Sequence, residues 1–451
     1  MRIAYLTAGA AGMYCGSCMH DNALARQLQK QGVECILQPI YTPIRTDEQD
    51  VSNGQVFFGG VNVYLSQKLP LLRFLPQGFR RWLDSPLLLR WATRGGGAAS
   101  AKLLGQLTVS MLQGLDGRQG EEVKRLVHWL ADDLQPTTVV LSNLLIGGAI
   151  PAIRAAMPNT SIVVTLQGDD IFLDYLQPPY RQQAINQMRL LVASIDRVIV
   201  HSQFYATKMA KLLRIPDEKL VVLPLAIDAD PFLWEAPRGE SSGMVLPAEQ
   251  VHIGYLARLA PEKGLHHLID AFIDIRSRES GKQARLHIAG WEGDQHRGYV
   301  ADLKHRLSTA GATAHVQFHG SPDLDGKRNF LRQLDLLCVP TDYHDPKGLF
   351  VLEAWAAGVP VVQPDHGAFP EMIAASGGGW IVPPGNPQAL AEQLHVLLAD
   401  AATRKRYGEA GRQYVLSKAT IAHQATQLLE AIAAIETAPK QGARSPVQSL
   451  E

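Results

Sequence analysis

A chain of 451 residues exceeds one ordinary domain and suits two or three. With 46% hydrophobic and 19% charged residues it can build large cores, which excludes a disordered chain. Basic and acidic residues balance at 43 each, which argues against a surface made to neutralise nucleic-acid phosphates. The opening MRIAYLTAGAAGMYC has a leader-like basic start and apolar core, but Thr7 and Gly9 interrupt it. It reads better as a first strand entering a glycine loop. An amphipathic helix, HDNALARQLQKQG, follows and is closed by Gly32. Next come the strand VECILQPIY, a hairpin around VFFGGVNVYL, and the strands TTVVLS, SIVVTLQ, RVIVHS and KLVVLPL. The second half repeats the theme with VHIGYLARL, ARLHIAG, HVQFHG, LDLLCVP, VPVVQP and GWIVPP.

Strand-like runs alternating with helical patterns predict an α/β protein with parallel sheets and crossover helices. The expected architecture is two doubly wound, Rossmann-like lobes facing a central cleft, with ligands at the carboxyl ends of the strands. Residues 1–235 form the first lobe and 251–415 the second. The polar, Gly-, Ser- and Pro-rich 236–250 is the linker between them. The tail 439–451 has little to bury and reads as disordered. No run approaches the roughly 18 apolar residues of a membrane span, and four cysteines make no disulfide framework, so a cytoplasmic setting is expected. Residues 69–94 interleave Leu, Phe and Trp with Arg73, Arg80, Arg81, Arg90 and Arg94. They read either as a surface touching a lipid interface or as a helical insertion with its arginines in water. Three prolines break the pattern and favour the insertion.

The most informative stretch is 340–371. Asp345 precedes Glu353 by eight positions, Gly348 lies between them, and the short helix LFVLEAWAAG starts there. A helix N-terminus beside two carboxylates can hold a sugar bonded to a phosphate: N–H groups for phosphate oxygens, carboxylates for hydroxyls. At the start of the second lobe, Arg258 and Lys263 flank a loop and could converge on a diphosphate, with Gly264 opening a helix. Loop cations alone are commonplace; beside 340–371 they acquire meaning.

Together these residues resemble the Glu-x7-Glu and Arg-x4-Lys-Gly signatures of the family-four glycosyltransferases of the GT-B fold, with Asp345 where the first glutamate stands. The resemblance implies a retaining, metal-independent hexosyltransferase whose substrate is a nucleoside diphosphate sugar and which needs no cofactor. It casts Arg258 and Lys263 as stabilisers of the leaving diphosphate and Glu353 as acceptor for the ribose hydroxyls. Asp345 would meet the donor sugar, one methylene short of its usual reach. Gly348 and Leu349 would offer backbone N–H groups. The loop holding Gly9, Gly12 and Gly16 would let donor phosphate and acceptor approach closely. Where most relatives carry a sugar-facing histidine this chain has Gln167, which can hydrogen-bond but cannot titrate. In the proposal favoured for retaining members, the departing diphosphate takes the acceptor's proton. GT-B enzymes also suggest that the last helix, 416–438, packs back across both lobes.

Other residues have weaker support. Asp169 or Asp170 suits a helix cap, and Glu371 suits a first-turn dipole partner. Asn143, Ser202 and His20 could reach the cleft. Cys15 and Cys18 have a redox-type spacing, yet no further cysteine or histidine cluster completes a zinc set with them, and no metal site is assigned. The expected partners are the nucleotide-sugar donor and a sugar, lipid-linked or small-molecule acceptor, with no nucleic acid. A non-catalytic nucleotide-sugar binder and a GT-B epimerase or hydrolase are the alternatives.

Overall fold

The computed structural model describes residues 1–9, 16–44, 46, 49–53, 56, 97–233 and 250–437. All but the first residue of the hairpin around 56–65, the 69–94 stretch, Gly12, Cys15, nearly all of the 236–250 linker and the 439–451 tail therefore lie outside the described residues.

Twelve described strands sort into two parallel sheets of six, one in each half of the chain. The first contains β1 (Arg2–Thr7), β2 (Glu34–Pro39), β3 (Thr138–Leu141), β4 (Ser161–Thr165), β5 (Arg197–Val200) and β6 (Leu220–Val222). Their order across the sheet is β2-β1-β3-β4-β5-β6. The second contains β7 (Val251–Leu256), β8 (Ala284–Ala289), β9 (Val316–Phe318), β10 (Leu336–Cys338), β11 (Val361–Pro364) and β12 (Gly379–Val382). Its order is β12-β11-β10-β7-β8-β9. Every residue of β3, β4, β7 and β10 is buried, because helices cover both sheet faces. That burial is why these strands read as unbroken apolar runs rather than alternating ones.

Each sheet reverses its direction of winding beside its first strand, at β1/β3 and at β7/β10. Such switch points open a crevice at the carboxyl ends of the strands. The loops leaving β7 and β10 carry Arg258, Lys263 and Asp345, so the topology brings residues some 80 positions apart to one place.

The helix Leu349–Ala356 is buried along almost its whole length. Trp355 is fully buried, and its indole N–H donates to the Gly378 carbonyl at 2.8 Å. A Cβ on Gly411 would lie 2.4 Å from the indole, so the helix Ala401–Lys418 can press against the ring only because that position is glycine.

The chain's last described helix, Ile421–Thr437, follows a break at Ala419–Thr420, where Ile227 and Thr420 pair. Its buried face of Ile421, Ala425, Leu428 and Ile432 joins Ile3, Tyr5, Leu28, Leu37, Val140, Val163 and Ile199 in one core cluster. All of those partners belong to the first lobe, so this helix returns to complete the sheet laid down at the start of the chain. Among the described residues no helix is long and apolar enough to cross a membrane.

Candidate active site

On the second-lobe side the site begins with Gly264, whose φ of +70° is left-handed and whose added Cβ would lie 1.7 Å from the Pro340 carbonyl oxygen. Only glycine lets the β7 loop seat against the β10 loop there. Lys263 is thereby delivered to Asp345, with Nζ 3.2 Å from Oδ2. The same ammonium also bonds the Tyr343 hydroxyl. Tyr343 in turn donates to Asp345 Oδ2 at 2.7 Å, while Asp345 Oδ1 accepts the backbone N–H groups of Lys347 (3.1 Å) and Gly348 (3.0 Å). Burial alone would raise the Asp345 pKa. The Lys263 charge, the Tyr343 hydroxyl and the two backbone donors outweigh it and hold the carboxyl at about 2. Both oxygens of Asp345 are thus committed within the protein. It fixes the loop that presents the N-terminus of the Leu349–Ala356 helix.

Glu353 lies on that helix, buried, with Oε1 2.9 Å from Lys327 Nζ. It lines a pocket between the lobes with Lys327, Leu349, His20, Ile227 and Asp228. Arg258 stands apart from Lys263: its guanidinium pairs with Glu262 at 3.2 Å on the rim, half exposed. The two cations expected to act together are therefore held differently, one buried and one at the mouth.

On the first-lobe side, Gln167 is buried and fully engaged. Its Nε2 donates to Asp21 Oδ1 (3.0 Å) and the Ser142 carbonyl (3.1 Å). Its Oε1 accepts from Lys347 Nζ at 3.1 Å. Asp21 is fully buried and also accepts from Tyr5 and Thr7 at 3.0 and 2.9 Å. Lys347 reaches across the cleft to donate to Ser17 Oγ as well, at 2.7 Å. Gly16 starts the helix Gly16–Lys30, and a Cβ there would lie 3.2 Å from Leu349, so the two lobes touch at this point. Asp21, Lys327 and Lys347 were not singled out from the sequence. An acid on the apolar side of the first helix was the available sign for Asp21. Nothing local marks the two lysines.

Several expectations are corrected by these contacts. Neither Asp169 nor Asp170 caps the helix Asp169–Asp174, whose N-cap is Gly168 without a side-chain bond. Asp169 instead accepts from the backbone N–H groups of Leu144 and Gln167 at 2.7 and 3.1 Å. Burial pushes its pKa up to about 6 against those two bonds. Asp170 is held by Tyr205 and Lys208 at 2.7 and 2.6 Å. Asn143 and Ser202 each cap a following helix, and Ser202 also donates across the cleft to the Pro346 carbonyl at 2.8 Å. Glu371 lies in the first turn of its own helix, Phe369–Ser376, and its carboxylate also caps a helix of the other lobe, accepting from Gln203 and Phe204 N–H at 2.9 and 3.1 Å. His20 does line the cleft, with its Nε2 2.6 Å from Gln424 Oε1. Cys18 is a buried residue of the first-lobe core.

Both halves of the chain match glycosyltransferase families. The family described as "Glycosyl transferases group 1" matches residues 243–414, and the one described as "Glycosyl transferase 4-like domain" matches residues 22–226. The chain belongs to the family-four glycosyltransferases of the GT-B fold. A phosphatidyl-myo-inositol mannosyltransferase of Mycobacterium leprae is 33% identical over 175 residues, 38% of this chain and 44% of that protein. A D-inositol 3-phosphate glycosyltransferase of Jonesia denitrificans is 27% identical over 254 residues, covering 55% of this chain and 57% of the relative. The chain spans about half the length of the curated relatives it matches. Among solved structures, Anabaena HepE in complex with UDP superposes with a TM-score of 0.68 at 16% identity, covering 96% of this chain and 100% of HepE. Sucrose-phosphate synthase of Thermosynechococcus elongatus gives 0.67 at 16% identity with the same coverage of both chains. At that identity the two structures establish the fold.

Proposed function

We propose that the protein moves a sugar from a nucleoside diphosphate sugar to a hydroxyl acceptor, with retention at the anomeric carbon and no metal in the transfer step. The observation that carries this reading is the pairing of Asp345 with Lys263 and of Glu353 with Lys327 on either side of one helix N-terminus. The Glu353 carboxylate and the Lys327 ammonium line the cleft, able to meet hydroxyls and phosphate, while the buried Asp345–Lys263 pair fixes the loop that presents the helix N-terminus to a donor. The mycobacterial and Jonesia relatives, whose names describe glycosyl transfer to inositol-containing acceptors, support a polyol or lipid-linked acceptor. The UDP bound by the Anabaena neighbour supports a nucleoside diphosphate donor.

In this mechanism the bond from the anomeric carbon to the diphosphate oxygen breaks with its electron pair going to the diphosphate. Lys263 balances that charge by shifting toward it from Asp345, with Arg258 closing in from the rim. The acceptor oxygen bonds the same face of the sugar and gives its proton to the departing diphosphate oxygen. Gln167 only positions, because its amide neither gains nor loses a proton at neutral pH. Closure of the lobes excludes water from the reacting centre.

The test is thermal stabilisation against UDP-, GDP-, ADP- and dTDP-sugars and the matching free nucleotides, followed by radiolabel transfer to candidate acceptors. A ligand that binds only the folded protein raises its midpoint by mass action. One nucleotide family should shift the midpoint, and Glu353→Ala should remove the shift. No shift with any of the four families would overturn the donor assignment.

A further inference from the structure

A second cluster lies where the β7 and β10 loops meet, outside the carboxylate–lysine pairs. His266 and His267 open the helix Leu265–Ser277, and Asp342 stands in the loop leaving β10. His267 Nε2 is 2.7 Å from Asp342 Oδ1, and His266 Nε2 is 3.6 Å from Oδ2 of the same carboxylate. One ligand atom from each of the three residues falls within 4.8 Å of the others. The histidine ring centroids lie 3.9 Å apart with their planes tilted at 44°.

We propose that His266, His267 and Asp342 form a binding site for a divalent transition-metal ion of the zinc class. The ligand chemistry selects the ion: two imidazole nitrogens with one carboxylate suit zinc and its neighbours in the first row, not magnesium or calcium. Ligand atoms around a tetrahedral zinc, each about 2.0–2.1 Å from it, sit about 3.3 Å from one another. The observed separations, 2.7 Å to one oxygen of Asp342 and 3.6 Å to the other, bracket that spacing.

A second observation points the same way. The Tyr299 hydroxyl, from the next helix, lies 3.1 Å from both the backbone nitrogen and Nδ1 of His266. Anchoring Nδ1 in this manner turns Nε2 toward Asp342, which is the outer-shell arrangement that orients metal-bound histidines. Asp342 is itself fixed by its backbone N–H, which donates to the Glu262 carbonyl at 3.0 Å. Three protein ligands leave a coordination position for water. The ion would fasten the loop leading to Asp345 onto the helix that follows Lys263, and it takes no part in the transfer step. The site stands on this geometry whether or not the sugar-transfer reading holds.

The experiment uses the full chain, stripped with a chelator and then titrated with Zn2+ and with Co2+ by calorimetry. The Co2+ absorption spectrum is recorded, and retained metal is counted per chain. The expected result is one ion per chain with a tetrahedral nitrogen–oxygen Co2+ spectrum. His267→Ala and Asp342→Asn should each weaken binding at least tenfold. Tyr299→Phe should keep one site and weaken it by roughly tenfold, the low end of the outer-shell effect. Folding of each variant is checked by its melting midpoint in chelator. Equal uptake by wild type and both ligand variants would mean an adventitious ion only and overturn the proposal, as would failure of the wild type to bind either ion.

Discussion

Replacing Lys263 by alanine should do more than remove a donor contact. Its side chain is 12% exposed and that of its partner Asp345 7% exposed, so the substitution leaves a buried anion without its cation. Breaking such a pair from one side costs about 3–5 kcal/mol. Asp345 keeps Tyr343 and two backbone donors, which places the expected loss near the lower end, about 3 kcal/mol. The carboxyl's fall from an ordinary 3.8 to about 2 gives an independent scale: about 2.5 kcal/mol of stability. A depressed folded-state pKa means that this stability is present in full above pH 3.8 and is lost as pH falls through 2. Urea unfolding of wild type, Lys263→Ala, Asp345→Asn and the double variant at pH 7 measures the coupling. The double variant should lose about 2 kcal/mol less than the sum of the singles. Additive losses, within about 0.5 kcal/mol, would refute the assignment of Asp345 as a structural anion held by Lys263. Arg258→Ala is the control: half exposed on the rim, it should change stability by less than about 0.5 kcal/mol yet reduce the nucleotide-sugar shift. Lys263→Ala, often the first choice for an inactive enzyme, is therefore a poor probe of chemistry alone in this protein.

Other outcomes follow from the same contacts. Glu371→Ala removes a cap that one lobe places on a helix of the other; it should cost about 1 kcal/mol, and amide exchange at Gln203 and Phe204 should accelerate. Unchanged exchange there would mean the lobes do not hold this contact in solution. In the second sheet His287 bridges His252 and His319 at 2.8 and 3.0 Å, and burial followed by the neighbouring histidines lowers its pKa to about 3. The unfolded chain then takes up a proton that the folded chain refuses, so stability falls as pH drops from about 6.5 toward 3, by about 2 kcal/mol at pH 5. His287→Gln should flatten that slope in urea midpoints compared at pH 7 and pH 5, and an unaltered slope would exclude the ladder as its source. Leu428→Ala opens a hole between the last described helix and the first sheet and should cost 2–5 kcal/mol, as roughly expected for a buried leucine. Fluorescence and exchange should locate that loss in the first lobe; a loss confined to the second would contradict the packing described above.

The architecture was readable because parallel strands buried on both faces leave apolar runs, clearest in β3, β4, β7 and β10 and weaker in edge strands such as β9, where Gln317 interrupts the run and is exposed. The donor loops were readable for another reason. Gly264 and Gly348 sit at left-handed turns where the chain bends tightly, and each follows a short motif that survives as a local string. The commitments of the side chains were not legible. Asp345 reads as a ligand for sugar, yet its oxygens are occupied by Tyr343, Lys263 and two backbone groups that no periodicity ties together. Lys347 meets Gln167 across 180 positions and Glu371 meets Gln203 across 168. Contacts between lobes follow from how two finished sheets are set against each other, which no window of sequence reports. Asp169 and Asp170 misled for a related reason: acids at the start of a helix suggest capping, but the tertiary partners Leu144, Tyr205 and Lys208 claimed them first.

The return of the Ile421–Thr437 helix to the first sheet also sets an order on synthesis. A ribosome releases β1 to β6 early, but the wall that closes one face of that sheet begins to emerge about 200 residues later, after the entire second lobe. Until then Tyr5, Val140, Val163 and Ile199 have no final cover, and the half-made lobe is open to wrong partners in the interval. Cutting this protein at the linker would therefore not yield two independent halves. The first half would lack part of its own interior, and the second would carry a helix with nothing to cover.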